Sequence, residues 1–207
     1  MADPLEMGGR QRGLLTGQTG SGKSTLAKYL ILPQPNLLII DPKSEFALPE
    51  RDCRIVTELD KLSGRRDDCI IYRPKPEDNE PERYDRLFKW VYERRNTFVY
   101  IDELTAVTRS PLSYPMWLRA IYVQGRSLGI GILAATQRPT MIPLFAMSEA
   151  QKFWSFYLLL SGDRKRMAEW MGDAVEREPT ERYGFYYKDT LTRGETKEYV
   201  LKLGKGG

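Results

Sequence analysis

Eight consecutive residues, Gly17-Gln18-Thr19-Gly20-Ser21-Gly22-Lys23-Ser24, fit the pattern G-x-x-x-x-G-K-[ST]. Glycines let the backbone fold tightly enough for successive N–H groups to aim at one phosphate. A helix starting behind such a loop points its positive end at the same place. In that arrangement Lys23 reaches the β- and γ-phosphates and the Ser24 hydroxyl ligates Mg²⁺. The expected site for ATP and Mg²⁺ is therefore Gly17, Gln18, Thr19, Gly20, Ser21, Gly22, Lys23, Ser24 and Thr25. A chance glycine-rich turn has no reason to follow an apolar strand and open a helix, and this one does both.

Phe98-Val99-Tyr100-Ile101-Asp102-Glu103 is four apolar residues followed by two acids. Carboxylates at the C-terminal end of a central strand sit beside the phosphate loop in this type of sheet. Asp102 is expected to hold Mg²⁺, directly or through water, in the Walker B role. Glu103 is expected to polarise a water for attack on the γ-phosphate. The adjacent glutamate bears on the reaction class, because a hydrolase must activate water and a small-molecule kinase must exclude it.

The rest of the composition narrows the chemistry. Histidine is absent from the 207 residues, which excludes Ser-His-Asp and Cys-His triads and His-ligated metals. Hydrophobic residues at 41% and charged ones at 29% suit one globular domain over residues 1–207 and are too apolar for a disordered chain. Lys plus Arg exceed Asp plus Glu by 32 to 28, a net +4, which permits a nucleic-acid partner without demanding one. Cys53 and Cys69 cannot form a structural zinc site alone. A single disulfide is open to them, but sparse usage reads as a reducing, intracellular setting. No apolar run approaches the roughly 18 residues of a membrane span. Residues 1–9 lack a signal-peptide pattern and are expected to be a ragged terminus.

Strand-like and helix-like segments alternate, which predicts an α/β fold with a mostly parallel central sheet. Strands are expected over residues 13–16, 37–40, 68–72, 97–101, 130–136 and 153–160. Helices are expected over 24–32, 116–127 and 163–171. Between 81 and 96 the apolar positions Tyr84, Leu87, Phe88 and Val91 fall at i, i+3, i+4 and i+7, one face of an amphipathic helix. Residues 105–115 read as a loop punctuated by Pro111 and Pro115. Two aromatic-rich runs around a polar turn with Gly194 predict a terminal β-hairpin over 183–203.

Gly125-Arg126-Ser127-Leu128-Gly129-Ile130 followed by Ala134-Ala135-Thr136-Gln137-Arg138-Pro139 resembles the "GR…GI…ATQRP" segment of the FtsK–HerA superfamily of DNA-pumping ATPases. Leu38-Ile39-Ile40-Asp41-Pro42-Lys43 is similar to that group's strand-end "DPK". The resemblance runs over about residues 13–187, with the motifs in family order. It implies a RecA-like (ASCE) P-loop NTPase sheet with an extra strand between the two Walker strands. It also implies a homo-oligomeric ring, hexamer or pentamer, and ATP-driven movement of double-stranded DNA. On this resemblance Gln137 is the polar sensor of the γ-phosphate. Arg126 matches the arginine given to the neighbour's nucleotide, with Arg138, Arg119 and Arg109 as alternatives.

At this length there is no room for the membrane spans, barrels or nuclease domains of larger members. The chain therefore looks most like the small genome-packaging ATPases of tailless, membrane-containing viruses. Such a protein would work in the host cytoplasm or at the virion's packaging vertex, with capsid or vertex proteins as partners. Three other readings share the phosphate loop: another DNA translocase of the FtsK–HerA type, a phage morphogenesis ATPase acting on protein, and a small nucleotide kinase. For DNA contact the candidates are Arg109 in the 105–115 loop and Arg164-Lys165-Arg166, either of which could equally be a solvated charge cluster.

Overall fold

Strands whose sequences are apolar without alternation belong inside a parallel sheet, covered on both faces. β1 (Arg12–Thr16), β2 (Leu37–Ile40), β4 (Cys69–Tyr72), β5 (Phe98–Ile101) and β6 (Gly131–Thr136) are buried at every position. The computed structural model describes residues 3–62, 69–192 and 194–202. Residues 1, 2, 68, 193 and 203 of the expected segments lie outside the described residues. The remaining strands are β3 (Arg54–Val56), β7 (Lys152–Ser155), β8 (Gly184–Asp189) and β9 (Lys197–Val200). The helices are α1 (Lys23–Ile31), α2 (Pro81–Arg94), α3 (Leu104–Val107), α4 (Met116–Gln124), α5 (Leu144–Ser148) and α6 (Ser161–Met171).

Among the described residues nine strands form one sheet in the order β3-β4-β2-β5-β6-β1-β7-β8-β9. The pairings from β3 through β7 are parallel. β8 and β9 add an antiparallel hairpin at the edge. This is the expected α/β, mostly parallel P-loop sheet with a C-terminal hairpin. β6 separates the strand of the phosphate loop, β1, from the strand of the acid pair, β5. Thr16 pairs with Thr136, and Ile101 with Ala134. The loop after β1, Gln137 after β6 and the acids after β5 therefore emerge along one edge of the sheet.

Successive side chains of a strand point to opposite faces, which splits the core in two. On one face Leu38, Val99, Ile101, Ile132 and Ala134 meet α2 and α4. On the other, Ile39, Tyr100, Leu133 and Ala135 meet Leu26, Ala27, Leu30 and Ile31 of α1. The four apolar positions of α2, Tyr84, Leu87, Phe88 and Val91, are all buried. Burying such side chains contributes about 1.5–3 kcal/mol each, so the spacing seen in the sequence is what docks that helix.

Five features depart from the sequence expectation. β3 was not foreseen; its Arg-Ile-Val is too short and mixed to read as a strand, and it forms by pairing with β4. The strand expected over 153–160 stops at Ser155. Beyond it Phe156 N still donates to Thr16 O at 2.9 Å while its side chain lies against Gly17 and Gly22 of the phosphate loop, and Arg164 Nη1 donates to the carbonyls of Leu158 and Leu159 at 2.8 and 2.6 Å. The 105–115 loop begins inside α3, a single turn whose Leu104 and Val107 are buried. In the segment expected to be ragged, Met7 is buried. There Pro4 O accepts from Trp154 Nε1 at 2.7 Å and Glu6 O from Lys152 Nζ at 2.6 Å. Finally, the expectation of reduced cysteines is replaced by a disulfide, Cys53–Cys69, which ties the approach to β3 to the start of β4.

Candidate active site

The phosphate loop leaves β1 at Thr16 and is tied at once to β6, Gly17 N donating to Thr136 O at 3.2 Å. A Cβ on Gly17 would lie 2.7 Å from Phe156 Cβ and 2.8 Å from Ser21 Oγ, so only glycine fits. Gly22 precedes α1 at φ 101°, in the left-handed region that other residues avoid. The first turn of α1 carries no acid and no side-chain cap, so its positive end is left for an external anion.

Behind the loop lies a set of buried charges. Lys23 is 7% exposed and Asp102 8%. Burial lowers the pKa of Lys23, an effect partly offset by Asp102 and Glu103. Burial raises the pKa of Asp102, opposed by a hydrogen bond from Tyr100 and by Lys23. Tyr100 Oη donates to Asp102 Oδ1 at 2.8 Å. Its own pKa is held well above the ordinary value by burial and then by that carboxylate, so it remains a donor. Glu103 Oε1 accepts from Thr105 Oγ1 at 2.8 Å, and Glu103 Oε2 lies 3.5 Å from Lys43 Nζ.

These elements enclose a cleft of about 310 Å³. It brings together Gln18, Thr19, Gly20, Gly22, Lys23, Ser24 and Thr25 of the loop with Asp102 and Gln137. Thr19 Oγ1 donates to Gln137 Oε1 at 3.3 Å, linking the loop to the end of β6. Gly17, Ser21 and Glu103 are not among its lining residues; Ser21 lines a neighbouring cleft, and its Oγ is buried without a hydrogen-bond partner among the described residues. The Ser24 hydroxyl and the Asp102 carboxylate are hard oxygen donors on one cleft. That set suits Mg²⁺, which keeps several waters and takes the rest of its shell from phosphates.

Three lining residues, Lys43, Glu45 and Tyr183, were not among the expected site residues. The signal for Lys43 was the Asp41-Pro42-Lys43 strand end. Asp41 is fully buried and accepts from Glu45 N at 3.2 Å, Phe46 N at 3.0 Å and Arg73 Nε at 2.9 Å. Arg73 Nη2 also donates to Phe46 O at 2.7 Å. This pins the loop after β2 over the sheet edge and carries Lys43 to Glu103. Tyr183 has no local signal. It adopts φ 63° and also lines a second cleft, about 260 Å³, that shares Gln18, Thr19 and Gly20 and adds Tyr157 and Arg182.

The expected arginines fall elsewhere. Arg126 lies in the 3₁₀ turn Gly125–Leu128, before β6. The six residues of β6 put it about 20 Å from Gln137, so it does not enter its own chain's cleft. It lines a recess of about 1220 Å³ at the N-terminal edge of the sheet, shared with Arg10 and Arg12 and, among the described residues, lined by no carboxylate. Arg12 is answered by Glu149 at 3.7 Å. Arg10 and Arg126 are exposed. Arg138 is tied to Asp163 at 2.8 Å and Arg109 is paired with Glu80. Arg119 is exposed on α4.

No family profile matches the chain. Over 160 residues it is 25% identical to DNA packaging ATPase P9 of Enterobacteria phage PRD1, covering 75% of this chain and 68% of that protein. Its fold matches the genome packaging NTPase B204 of Sulfolobus turreted icosahedral virus 2, solved with ATP-γ-S. The TM-score is 0.79 at 17% identity, over 95% of this chain and 100% of that one. The conjugation coupling protein TcpA of pCW3 shares the fold at a TM-score of 0.60 and 15% identity, over 92% of this chain and 60% of that one.

Proposed function

We propose that this chain is an ATP-hydrolysing motor that moves double-stranded DNA, and that its task is to package a viral genome into a preformed capsid. The observation that carries the reading is one edge of one sheet. A phosphate loop, an acid pair and a polar strand end meet there in a fold that spans the length of a viral packaging NTPase. The similarity to P9 extends the same reading to sequence.

In this scheme the loop amides and Lys23 hold the β- and γ-phosphates, and Ser24 and Asp102 hold Mg²⁺. Bound there, the ion would neutralise charge on the phosphates. Glu103 takes a proton from the attacking water. The new bond forms between that oxygen and the γ-phosphorus, and the bond to the bridging oxygen breaks, leaving ADP and phosphate. Gln137, held by Thr19, senses the terminal phosphate. Among the described residues the cleft's lining contains Lys23 and Lys43 but no arginine, which supports an arginine supplied in trans. Arg126 suits that role: it is exposed and remote from its own cleft, and its guanidinium has no ion pair or hydrogen bond among the described residues. The chain would then act as a ring, hexameric or pentameric, in the host cytoplasm or at a packaging vertex with capsid proteins. No helix among the described residues is long and apolar enough to cross a membrane.

Asp102-Glu103 and Gln137-Arg138-Pro139 disfavour a nucleotide kinase, and a morphogenesis ATPase would be indifferent to DNA. ATP turnover with and without duplex DNA tests all three. The expected result is stimulation by DNA, with Glu103→Gln lowering kcat by about 10²–10⁴-fold while ATP binding persists. Phosphate transfer to a nucleoside, or turnover unmoved by DNA, would replace the motor by one of the alternatives.

A further inference from the structure

Both carboxylate oxygens of Glu103 are engaged, one by the Thr105 hydroxyl at 2.8 Å and one by the Lys43 ammonium at 3.5 Å. The Glu103 side chain is 7% exposed and that of Lys43 is 38% exposed. The pair therefore joins a buried acid to a cation that looks into the nucleotide cleft, where Lys43 and Lys23 share the lining. Among the described residues the Lys43 ammonium has no other ion pair or hydrogen bond. Its backbone is fixed by Asp41 and Arg73, while its four-carbon stem is free to swing.

A carboxylate that activates water must have the water, and not an ammonium, seated at the oxygen that takes the proton. A terminal phosphate seated against Lys23 would present more negative charge to the Lys43 ammonium than one carboxylate does, and would compete for it. We propose that Lys43 is a phosphate-exchangeable latch on Glu103. It holds Oε2 until a nucleoside triphosphate draws the ammonium to its terminal phosphate, and the exchange releases Oε2 for the water. The inference rests on Glu103 being the base, and makes Lys43 a positioning residue that acts through it. A diphosphate has no group at that position, so it leaves the latch closed and gains nothing from Lys43.

The test is equilibrium binding of ATPγS and of ADP, each with Mg²⁺, to the full chain and to Lys43→Ala and Lys43→Arg, beside kcat and KM for ATP. Loss of one charge-assisted contact should weaken ATPγS about tenfold in Lys43→Ala, raise KM, and leave ADP unchanged. Lys43→Arg should keep most of the discrimination. Equal weakening of both nucleotides, no change in either, or a fall in kcat alone would overturn the latch and leave Lys43 a structural prop. Should Lys43→Ala fail to fold, a crystal structure of the wild type with ATPγS decides: the ammonium on the γ-phosphate supports the latch, and the ammonium still on Glu103 overturns it. Glu103→Gln separates the two layers. Hydrolysis lost there, with no Lys43-dependent discrimination, defeats the latch alone. Undiminished hydrolysis there defeats the base and the latch together.

Discussion

At the C-terminal edge of the sheet the charges are buried and answered: Asp102 by Tyr100, Glu103 by Thr105 and Lys43, Asp41 by Arg73 and two amides. At the N-terminal edge Arg10 and Arg126 are exposed beside a wide recess that, among the described residues, offers them no carboxylate. The first edge is preorganised, its groups held before any ligand arrives, and such order is what electrostatic catalysis requires. The second offers cations whose counter-charge has to come from another molecule. On the proposed function that molecule is the neighbouring subunit with its nucleotide, so the two edges are halves of one site.

Substitutions at the two edges should therefore fail differently. The largest effect is expected from Lys23→Met, which should bring turnover below detection. The same variant should not lose thermal stability. The folded pKa of Lys23 is lowered by burial, so its charge opposes folding at pH 7, and that penalty fades as pH rises from the lowered pKa to the ordinary lysine value and is gone above it. A fall in the unfolding temperature at pH 7 would contradict the picture of stored electrostatic strain.

Next comes Arg126→Ala, which should lower turnover by about 10³-fold or more while leaving ATP affinity and unfolding temperature unchanged, since the side chain holds nothing in its own chain. Arg138→Ala sharpens the contrast. Its guanidinium is tied to the buried Asp163, so stability should fall along with any loss of turnover.

The smallest effect is expected from Asp102→Asn on stability. Burial raises the folded pKa of Asp102, so its ionisation opposes folding above that pKa, and the penalty is relieved as pH falls and the carboxyl protonates. The asparagine variant should unfold a few degrees higher at pH 7 and match the wild type below the ordinary carboxylate range, as thermal scans across pH would register.

The two edges also differed in how far they could be read from sequence. The phosphate loop and the acid pair are contiguous stretches whose spacing is itself the chemistry, so Lys23, Ser24, Asp102 and Glu103 could be picked out as candidates one by one. The buried positions of α2 and the central strands were legible because periodicity decides which face is covered. What stayed hidden depended on neighbours set by topology. Lys43 meets Glu103 only because β2 lies beside β5. Tyr183 reaches the loop only because the hairpin returns to the edge of the sheet. Cys53 and Cys69 meet because β3 pairs with β4. Arg126 could be picked out by resemblance, but its place at the far end of β6 required the strand order.

The claim that the two edges make one site is tested most directly by mixing two inactive proteins, Arg126→Ala and Glu103→Gln, and measuring ATP turnover with duplex DNA. The first keeps an intact cleft and the second an intact arginine, so mixed assemblies contain interfaces with both. The account expects each variant alone to be nearly inactive and the mixture to recover a clear fraction of wild-type turnover. A mixture as inactive as its components, or an Arg126→Ala protein that turns over ATP like the wild type, would contradict it.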